Sequence, residues 1–382
     1  MTMHVNAKQF IHYQKSLAHL AKRNRLRVLT QKQGIDFCSN DYLGLTRSQR
    51  IKDAMMTALE NGMAVGSGGS RLLGGNHSIF TNLEIMAARF FGSEQCLYFN
   101  SGYTANLAIF ASLPQRRDKI FYDEYAHASI LDGIKLSRAS AVQCNHNDVN
   151  DLQQKIKQWR KQGGMGRAWI AIESLYSMGG DRSPIDAYIH LLNDEDGLLM
   201  IDEAHATGVF GNHGKGLAAR YANRENILTL HTCGKALGVS GALLCLNKVF
   251  YDYLINHARP FIYATAASPL IAVAVQEALK ILVEEPQHRE QLTTLYQQAN
   301  LEYAKLFGIP GTGSQILPVY LNNNRLALQV LAKLSHAGFS IQAIRPPTVP
   351  EGTARIRVSI TRHVSHENII ALFSTLGAFL NG

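Results

Sequence analysis

The chain has 382 residues, of which 46% are hydrophobic and 18% charged, and a formal charge of +9. Such a chain can bury a large core and divide into two or more domains, so it reads as an ordinary soluble globular protein. The positive balance favours an anionic partner, whether a phosphorylated cofactor, an acyl thioester bearing phosphates or a nucleic acid, and does not choose among them.

The first acidic residue, Asp36, is preceded by Lys8, Lys15, Lys22, Arg23, Arg25, Arg27 and Lys32. A basic, acid-free start is also the composition of an organellar transit peptide. Phe10, Tyr13, Leu17 and Leu20 recur at helical spacing among those cations, which favours a helix packed on its own protein. No apolar run approaches the roughly 18 residues needed to cross a bilayer, and no signal-peptide core is present. Cys38, Cys96, Cys144, Cys233 and Cys245 are odd in number, widely spaced and without a C-x-x-C pair. Neither a disulfide framework nor a metal site is indicated, and a reducing cytoplasm is the simplest setting.

Further along, Gly66 to Gly75 reads as a flexible loop. It lacks the G-x-G-x-x-G spacing, a clear preceding strand and a Walker lysine, so a dinucleotide fold and a phosphate-binding P-loop are both disfavoured. Strands are predicted at 95–99, 119–122, 168–172, 198–201, 228–232 and 241–246, and helices at 79–90 and 104–112. The alternation predicts an α/β fold with a mostly parallel sheet between helices, whose ligands gather beyond the carboxyl ends of the strands. A helix at 269–283 ends at Glu284-Glu285-Pro286. Beyond it, helices near 290–307 and 325–337, strands near 316–321, 339–344 and 354–360, and a last helix from His366 predict a smaller α/β domain. The expected division is therefore an amino-terminal helix and arm (1–40), a large ligand-binding domain (41–284) and a small carboxyl-terminal domain (285–382).

The chemistry concentrates after the predicted strands. Leu198-Leu199-Met200-Ile201 ends in Asp202, and Lys235 lies between Gly234 and Gly238 soon after the strand 228–232. A carboxylate at a strand end can keep a pyridine nitrogen protonated, and a lysine with small neighbours can form a Schiff base, which together meet the needs of pyridoxal phosphate. Asn100-Ser101-Gly102-Tyr103 supplies a tight turn and a helix start. Gly102 and Tyr103 could donate N–H groups to a phosphate, although an ordinary turn capped by Ser101 reads equally well. His205 could bond a phenolic oxygen, His127 could stack on the ring, and Thr232 offers a hydroxyl near the phosphate. With 15 histidines in the chain, a structural role for either one alone is the plainer reading. Cys233 reads as a small buried residue. The D-E-A-H string at 202–205 also occurs in helicases, which require an upstream phosphate loop that is missing here. Aromatic residues are not interleaved with basic clusters, which argues against a nucleic-acid partner.

Ser39-Asn40-Asp41-Tyr42-Leu43-Gly44-Leu45, Gly66-Ser67-Gly68-Gly69-Ser70-Arg71, Asp123-Glu124-x-x-His127-Ala128-Ser129, Asp202-Glu203-Ala204-His205-Ala206-Thr207-Gly208 and Gly234-Lys235 together resemble the α-oxoamine synthases. These are fold-type I pyridoxal-phosphate enzymes that join an amino acid to an acyl thioester with loss of carbon dioxide. The resemblance runs in order from about residue 35 to the end. The string from Ala343 through Arg345-Pro346-Pro347-Thr348 to Arg357 is most similar to the branch that serves biotin synthesis, which uses L-alanine and a pimeloyl thioester of CoA or an acyl-carrier protein. Other branches use glycine with acetyl- or succinyl-CoA.

By that likeness, Lys235 is the Schiff-base lysine, Asp202 the pyridinium partner and His127 the stacking residue. His205, Ser177 and Thr232 contact the cofactor, Gly102 and Tyr103 cradle its phosphate, and Thr265 reaches that phosphate from the neighbouring subunit of a homodimer. Asn40, Thr348 and Arg357 fall at substrate positions, with Arg357 holding the amino-acid carboxylate through a bidentate fork. Alternation puts Arg355 on the same strand face, and salt bridging is the plain alternative for both. Two departures stand out: Gly179 replaces a usual aspartate in Ser177-Met178-Gly179-Gly180-Asp181, and the basic amino-terminal segment does not align residue for residue. Arg23 is the residue assigned there to the acyl chain.

Overall fold

The computed structural model describes residues 10–29, 31, 33–193 and 195–381, so Lys8 and Lys32 lie outside the described residues. Strand β1 (Ile35–Asp36) comes first. Seven strands follow: β2 (Gln95–Phe99), β3 (Lys119–Asp123), β4 (Ser140–Cys144), β5 (Ala168–Glu173), β6 (Gly197–Asp202), β7 (Ile227–Thr232) and β8 (Ala242–Leu246). The last four are β9 (Ile316–Tyr320), β10 (Phe339–Ser340), β11 (Gln342–Ile344) and β12 (Arg355–Ser359).

The chain forms two compact units, Asn40–Tyr296 and Met1–Ser39 with Gln297–Gly382. The amino-terminal segment therefore belongs with the small domain rather than standing apart as 1–40, and the division falls inside the helix Gln287–Phe307 rather than at 284/285. The reason is backbone pairing: β1 runs parallel to β10, and the Phe37 carbonyl accepts the Ser359 N–H at 2.9 Å. Within the same unit, β11, β12 and β9 form an antiparallel sheet. The helix Ile11–Lys22 forms where the spacing of Phe10, Tyr13, Leu17 and Leu20 predicted one, yet none of its residues is buried.

The larger unit is built on a seven-stranded sheet in the order β2-β8-β7-β6-β5-β3-β4. Only β8 runs against the others. Parallel strands covered on both faces read as unbroken apolar runs. In β5 and β6 every residue is buried, and each run ends in a carboxylate, Glu173 and Asp202. Alternation sorts the side chains into two cores. Leu97, Phe99, Trp169, Ala171, Leu198, Met200, Leu228 and Leu230 pack with residues of the helices Gly102–Ser112 and Ala128–Leu136. Phe121, Ile170, Ile172, Leu199, Ile201 and Ile227 pack with residues of Val149–Lys161 and Ile185–Asn193 on the opposite face. By the same alternation Glu173, Asp202 and Thr232 point to the first face, at the carboxyl edge. Among the described residues no helix is long and apolar enough to cross a membrane.

The six strands predicted in this unit are all present, and β4 is an additional one. It is a half-exposed edge strand of composition Ser-Ala-Val-Gln-Cys, too polar to stand out in the sequence. The glycine-rich stretch, expected as a flexible loop, is tied down. Ser67 Oγ donates to the Ala267 carbonyl at 2.5 Å, and the Ala266 N–H donates to the Gly69 carbonyl at 2.9 Å. A Cβ at Gly75 would lie 2.1 Å from the Gly69 carbonyl oxygen, so this return of the chain requires glycine. Arg71 anchors the loop through a two-pronged ion pair with buried Glu84, at 2.9 and 3.1 Å. Glu84 also accepts the Tyr98 N–H at 3.0 Å. Removing one partner of a buried pair strands the other charge, at a cost of about 3–5 kcal/mol. Arg71→Met should accordingly lower the unfolding free energy by that amount in a urea titration, and adding Glu84→Gln should recover part of the loss.

Candidate active site

The site grows from the carboxyl edge of the large sheet. After β2, Ser101 caps the helix Gly102–Ser112 by accepting the Thr104 N–H at 3.1 Å. The N–H groups of Gly102 and Tyr103 precede the helical ladder, where a helix start favours an anion. Gly102 lies against Thr232: a Cβ there would be 3.6 Å from both Cβ and Oγ1 of Thr232. Next to this turn, Asn100 Nδ2 donates to the carbonyl of Thr265 of the same chain at 2.9 Å. Gly102, Tyr103 and Thr232 thus share one end of the site, with Thr265 close by.

Lys235 sits in the connection 233–241 between antiparallel β7 and β8. This hairpin is closed by bonds from the Cys233 N–H to the Gly241 carbonyl (2.8 Å), from Val239 to Cys233 (2.9 Å) and from Gly238 to Lys235 (2.9 Å). Its amine lies 2.7 Å from His205 Nε2. Nδ1 of the same imidazole is 2.6 Å from Tyr42 Oη, which is itself 3.1 Å from Asn40 Oδ1. Asn40, Tyr42, His205 and Lys235 therefore form one polar chain. Tyr42 and His205 are buried, so their ring orientations are fixed by packing. Cys233 is fully buried, and that burial pushes its thiol up, in keeping with a packing role.

Asp202 is the other pole. Its Oδ1 accepts the Ala204 N–H at 2.9 Å and its Oδ2 accepts Asn106 Nδ2 at 3.0 Å. Asn106 also donates to Ser129 Oγ at 2.9 Å, and Ser129 Oγ lies 2.8 Å from His127 Nδ1. One buried amide thus ties the carboxylate to the residue expected to stack. His127 is exposed to solvent, yet the protein around it withdraws water from part of the ring. That enclosure lowers its pKa, with Asp202 opposing the shift and Lys235 adding to it, so the three groups sense one another.

Ser177 lies on a closed turn that begins just past β5. The Tyr176 and Gly180 N–H groups bond to Asp181 and Tyr176 carbonyls at 2.9 Å each, and Leu175 bridges to Arg182. His146 clamps this turn to the end of β3: Nδ1 is 2.9 Å from Asp123 and Nε2 is 2.7 Å from Asp181. The glycine at 179 suits the clamp, because a Cβ there would come within 2.1 Å of Asp181 Oδ1.

Three of the expected substrate residues are in the smaller unit. Arg357 is buried, and its Nη1 donates to Ser359 Oγ at 2.5 Å. Arg355, beside it on the same face, lies over the Tyr320 ring at 4.4 Å and donates to the Thr353 carbonyl at 2.9 Å, so it is held by packing. Thr348 Oγ1 accepts from Arg27 at 3.0 Å. Arg23, assigned to the acyl chain from the sequence, is instead exposed, with its carbonyl accepting from Asn324. Arg25 pairs with Glu351, and Arg345 donates to the Asn24 carbonyl. The cations that gather around Thr348 are therefore Arg25, Arg27 and Arg345.

A planar, phosphorylated cofactor fits the residues of the larger unit. They offer an amine, a buried carboxylate with two donors of its own, an accessible imidazole and a helix start against a threonine. Sequence reasoning missed Asn106, Ser129, Tyr42 and His146 as supports. Tyr42, inside the Ser39–Leu45 motif, and Ser129, inside the Asp123–Ser129 motif, carried a signal. Among the described residues no group of three or more His, Cys, Asp or Glu side chains could hold a metal ion.

Residues 32–376 match the model of the class I and II aminotransferases. An 8-amino-7-oxononanoate synthase of Geobacter sulfurreducens is 38% identical over 352 residues, covering 91% of this chain and 89% of that protein. Its namesake in Acidithiobacillus ferrooxidans is 37% identical over 347 residues, covering 90% and 87%. The crystal structure of 8-amino-7-oxononanoate synthase from Francisella tularensis superposes with a TM-score of 0.78 at 28% identity, over 91% of this chain and 98% of that one. Serine palmitoyltransferase of Sphingomonas wittichii, at 24% identity and TM-score 0.87 over 99% and 98%, shares the fold.

The His146 clamp has a pH signature. Burial alone would lower its pKa, but the bonds to Asp123 and Asp181 outweigh that and raise it from 6.5 to about 9. A raised folded-state value contributes stability that is complete below 6.5 and disappears as pH climbs through about 9. His146→Gln should flatten the decline in thermal midpoint across that window, as followed by circular dichroism.

Proposed function

Because the chain belongs to the class I and II aminotransferase family, and within it to the 8-amino-7-oxononanoate synthases among the α-oxoamine synthases, we propose that it condenses L-alanine with a pimeloyl thioester. The products are 8-amino-7-oxononanoate, carbon dioxide and free thiol, within biotin synthesis. The convergence of Lys235, His205, Asp202 and His127 at one edge of the large sheet carries this reading.

Bound pyridoxal phosphate supplies the electron sink that lets the amino acid's Cα act as a carbanion. Lys235 takes the Cα proton, and the adjacent His205, backed by Tyr42, orients the amine for that transfer. Asp202 keeps the ring nitrogen protonated, and Asn106 keeps Asp202 aligned. His127 covers one face of the ring. His205 would bond its phenolic oxygen and Ser177 would contact the cofactor, while Gly102, Tyr103 and Thr232 would hold the phosphate with Thr265 of the second subunit in a homodimer. As the new carbon–carbon bond forms at the acyl carbon, the thiolate leaves, the carboxylate of alanine then departs as carbon dioxide, and the electron pair left at Cα takes up a proton before the product is released.

Arg357 takes the alanine carboxylate, for which its buried fork is suited, and Asn40 assists. Thr348 and the cations gathered around it, Arg25, Arg27 and Arg345, bind the anionic acyl donor. Arg27 replaces Arg23 in this role. The donor is a thioester of CoA or of an acyl-carrier protein, and the five free cysteines suit a reducing cytoplasm.

Steady-state assay of alanine and glycine against pimeloyl, acetyl and succinyl thioesters tests the proposal. The alanine and pimeloyl pair should exceed every other pairing in kcat/KM by at least about tenfold, or ~1.4 kcal/mol. Lys235→Ala should lose more than about 10²-fold in turnover with its unfolding curve unchanged. Preference for glycine with a short acyl chain would instead assign the chain to another branch.

A further inference from the structure

Glu173 is a buried acid for which the reaction above has no use. It closes β5 as the register partner of Asp202 on β6, and alternation turns both side chains to the same face. It is 3% exposed. Oε2 accepts the Ser177 N–H at 3.3 Å, while Oε1 is shielded from solvent and has no partner. Neighbouring parallel strands lie about 4.8 Å apart, and two carboxylates that close cannot both ionise cheaply away from water.

The donors decide which of the two is charged. Asp202 receives Asn106 Nδ2 at 3.0 Å and the Ala204 N–H at 2.9 Å, both of which favour its anion. Glu173 receives one long backbone bond. The charged groups that bear on it are Asp202 and Asp123, which disfavour its anion, and Lys235, which favours it. Burial first, and then Asp202, push the Glu173 carboxyl from 4.5 up to about 8.

We propose that Glu173 is a positioning residue that works as a neutral carboxylic acid, carrying the one proton of the Glu173–Asp202 pair so that Asp202 remains the single anion facing the cofactor ring. Its carbonyl oxygen holds the Ser177 turn, and the hydroxyl at the unpartnered oxygen is a buried donor. This inference rests on the pyridoxal-phosphate site and not on the identity of either substrate.

Infrared spectroscopy of the cofactor-loaded enzyme without substrates tests it, together with cofactor affinity. Glutamine copies the neutral acid in shape and charge. Wild type at neutral pH should show a protonated-carboxyl C=O band that Glu173→Gln lacks and that fades as pH rises through about 8. Glu173→Gln should keep the cofactor dissociation constant within about threefold of wild type, whereas Glu173→Leu, which also loses the Ser177 bond, should weaken it by at least about tenfold. Loss of ten-fold or more of the affinity in Glu173→Gln would mean that the anion is the working form, and a carboxyl band absent from wild type or unchanged by the substitution would equally overturn the proposal. A different choice of amino acid or thioester would leave all of these readings as they are.

Discussion

A negative charge held away from water is the constraint around which the larger unit is arranged. Asp202 ends a strand in which every residue is buried, and an isolated carboxylate there would give up its charge. Two donors prevent that: the backbone of Ala204 and the side chain of Asn106, a residue on the helix that covers the same sheet face. The amide that serves Asp202 also binds Ser129, which leads to His127. Stabilising the anion and setting the orientation of His127 are therefore one piece of construction, and in our proposal Glu173 carries the proton because Asp202 has taken the better donors.

Asp202 and Lys235 stood out in the sequence because sequence and structure obey the same rule at that edge. An apolar run long enough for a parallel strand, followed directly by an acid, marks the point where a covered sheet meets its ligand, and β6 with Asp202 follows that pattern, while Lys235 lies in the hairpin just beyond β7 at the same edge. β5 ends in Glu173 in the same way, yet an acid without a motif partner nearby gives no reason to single it out. Asn106 was invisible for a different reason. Its contact with Asp202 spans 96 positions of chain, and a buried asparagine on an otherwise apolar helix reads as an imperfection.

The smaller unit was less legible. β1 has two residues and no periodicity, so nothing local indicated that the amino-terminal arm would pair with β10. That pairing also decides which arginine reaches Thr348. Arg23, Arg25 and Arg27 are equivalent in composition, and only the path of the arm brings Arg25 to Glu351 and Arg27 to Thr348. A cation's identity can be read from a sequence, whereas its address depends on a fold made by residues distant from it.

Strand β8, the one that runs against the rest of its sheet, has a consequence for the lysine. Parallel neighbours need a long crossover between them, but an antiparallel pair can be joined by a short hairpin. Lys235 is mounted on such a hairpin, fastened by main-chain bonds on both sides of it. The peptide unit beneath the amine is thereby held still, and only the four-carbon stem can swing. When the nitrogen is displaced from one partner and must act on another, it searches an arc a few ångströms wide about a fixed pivot, and the entropy lost in returning is that of a single side chain.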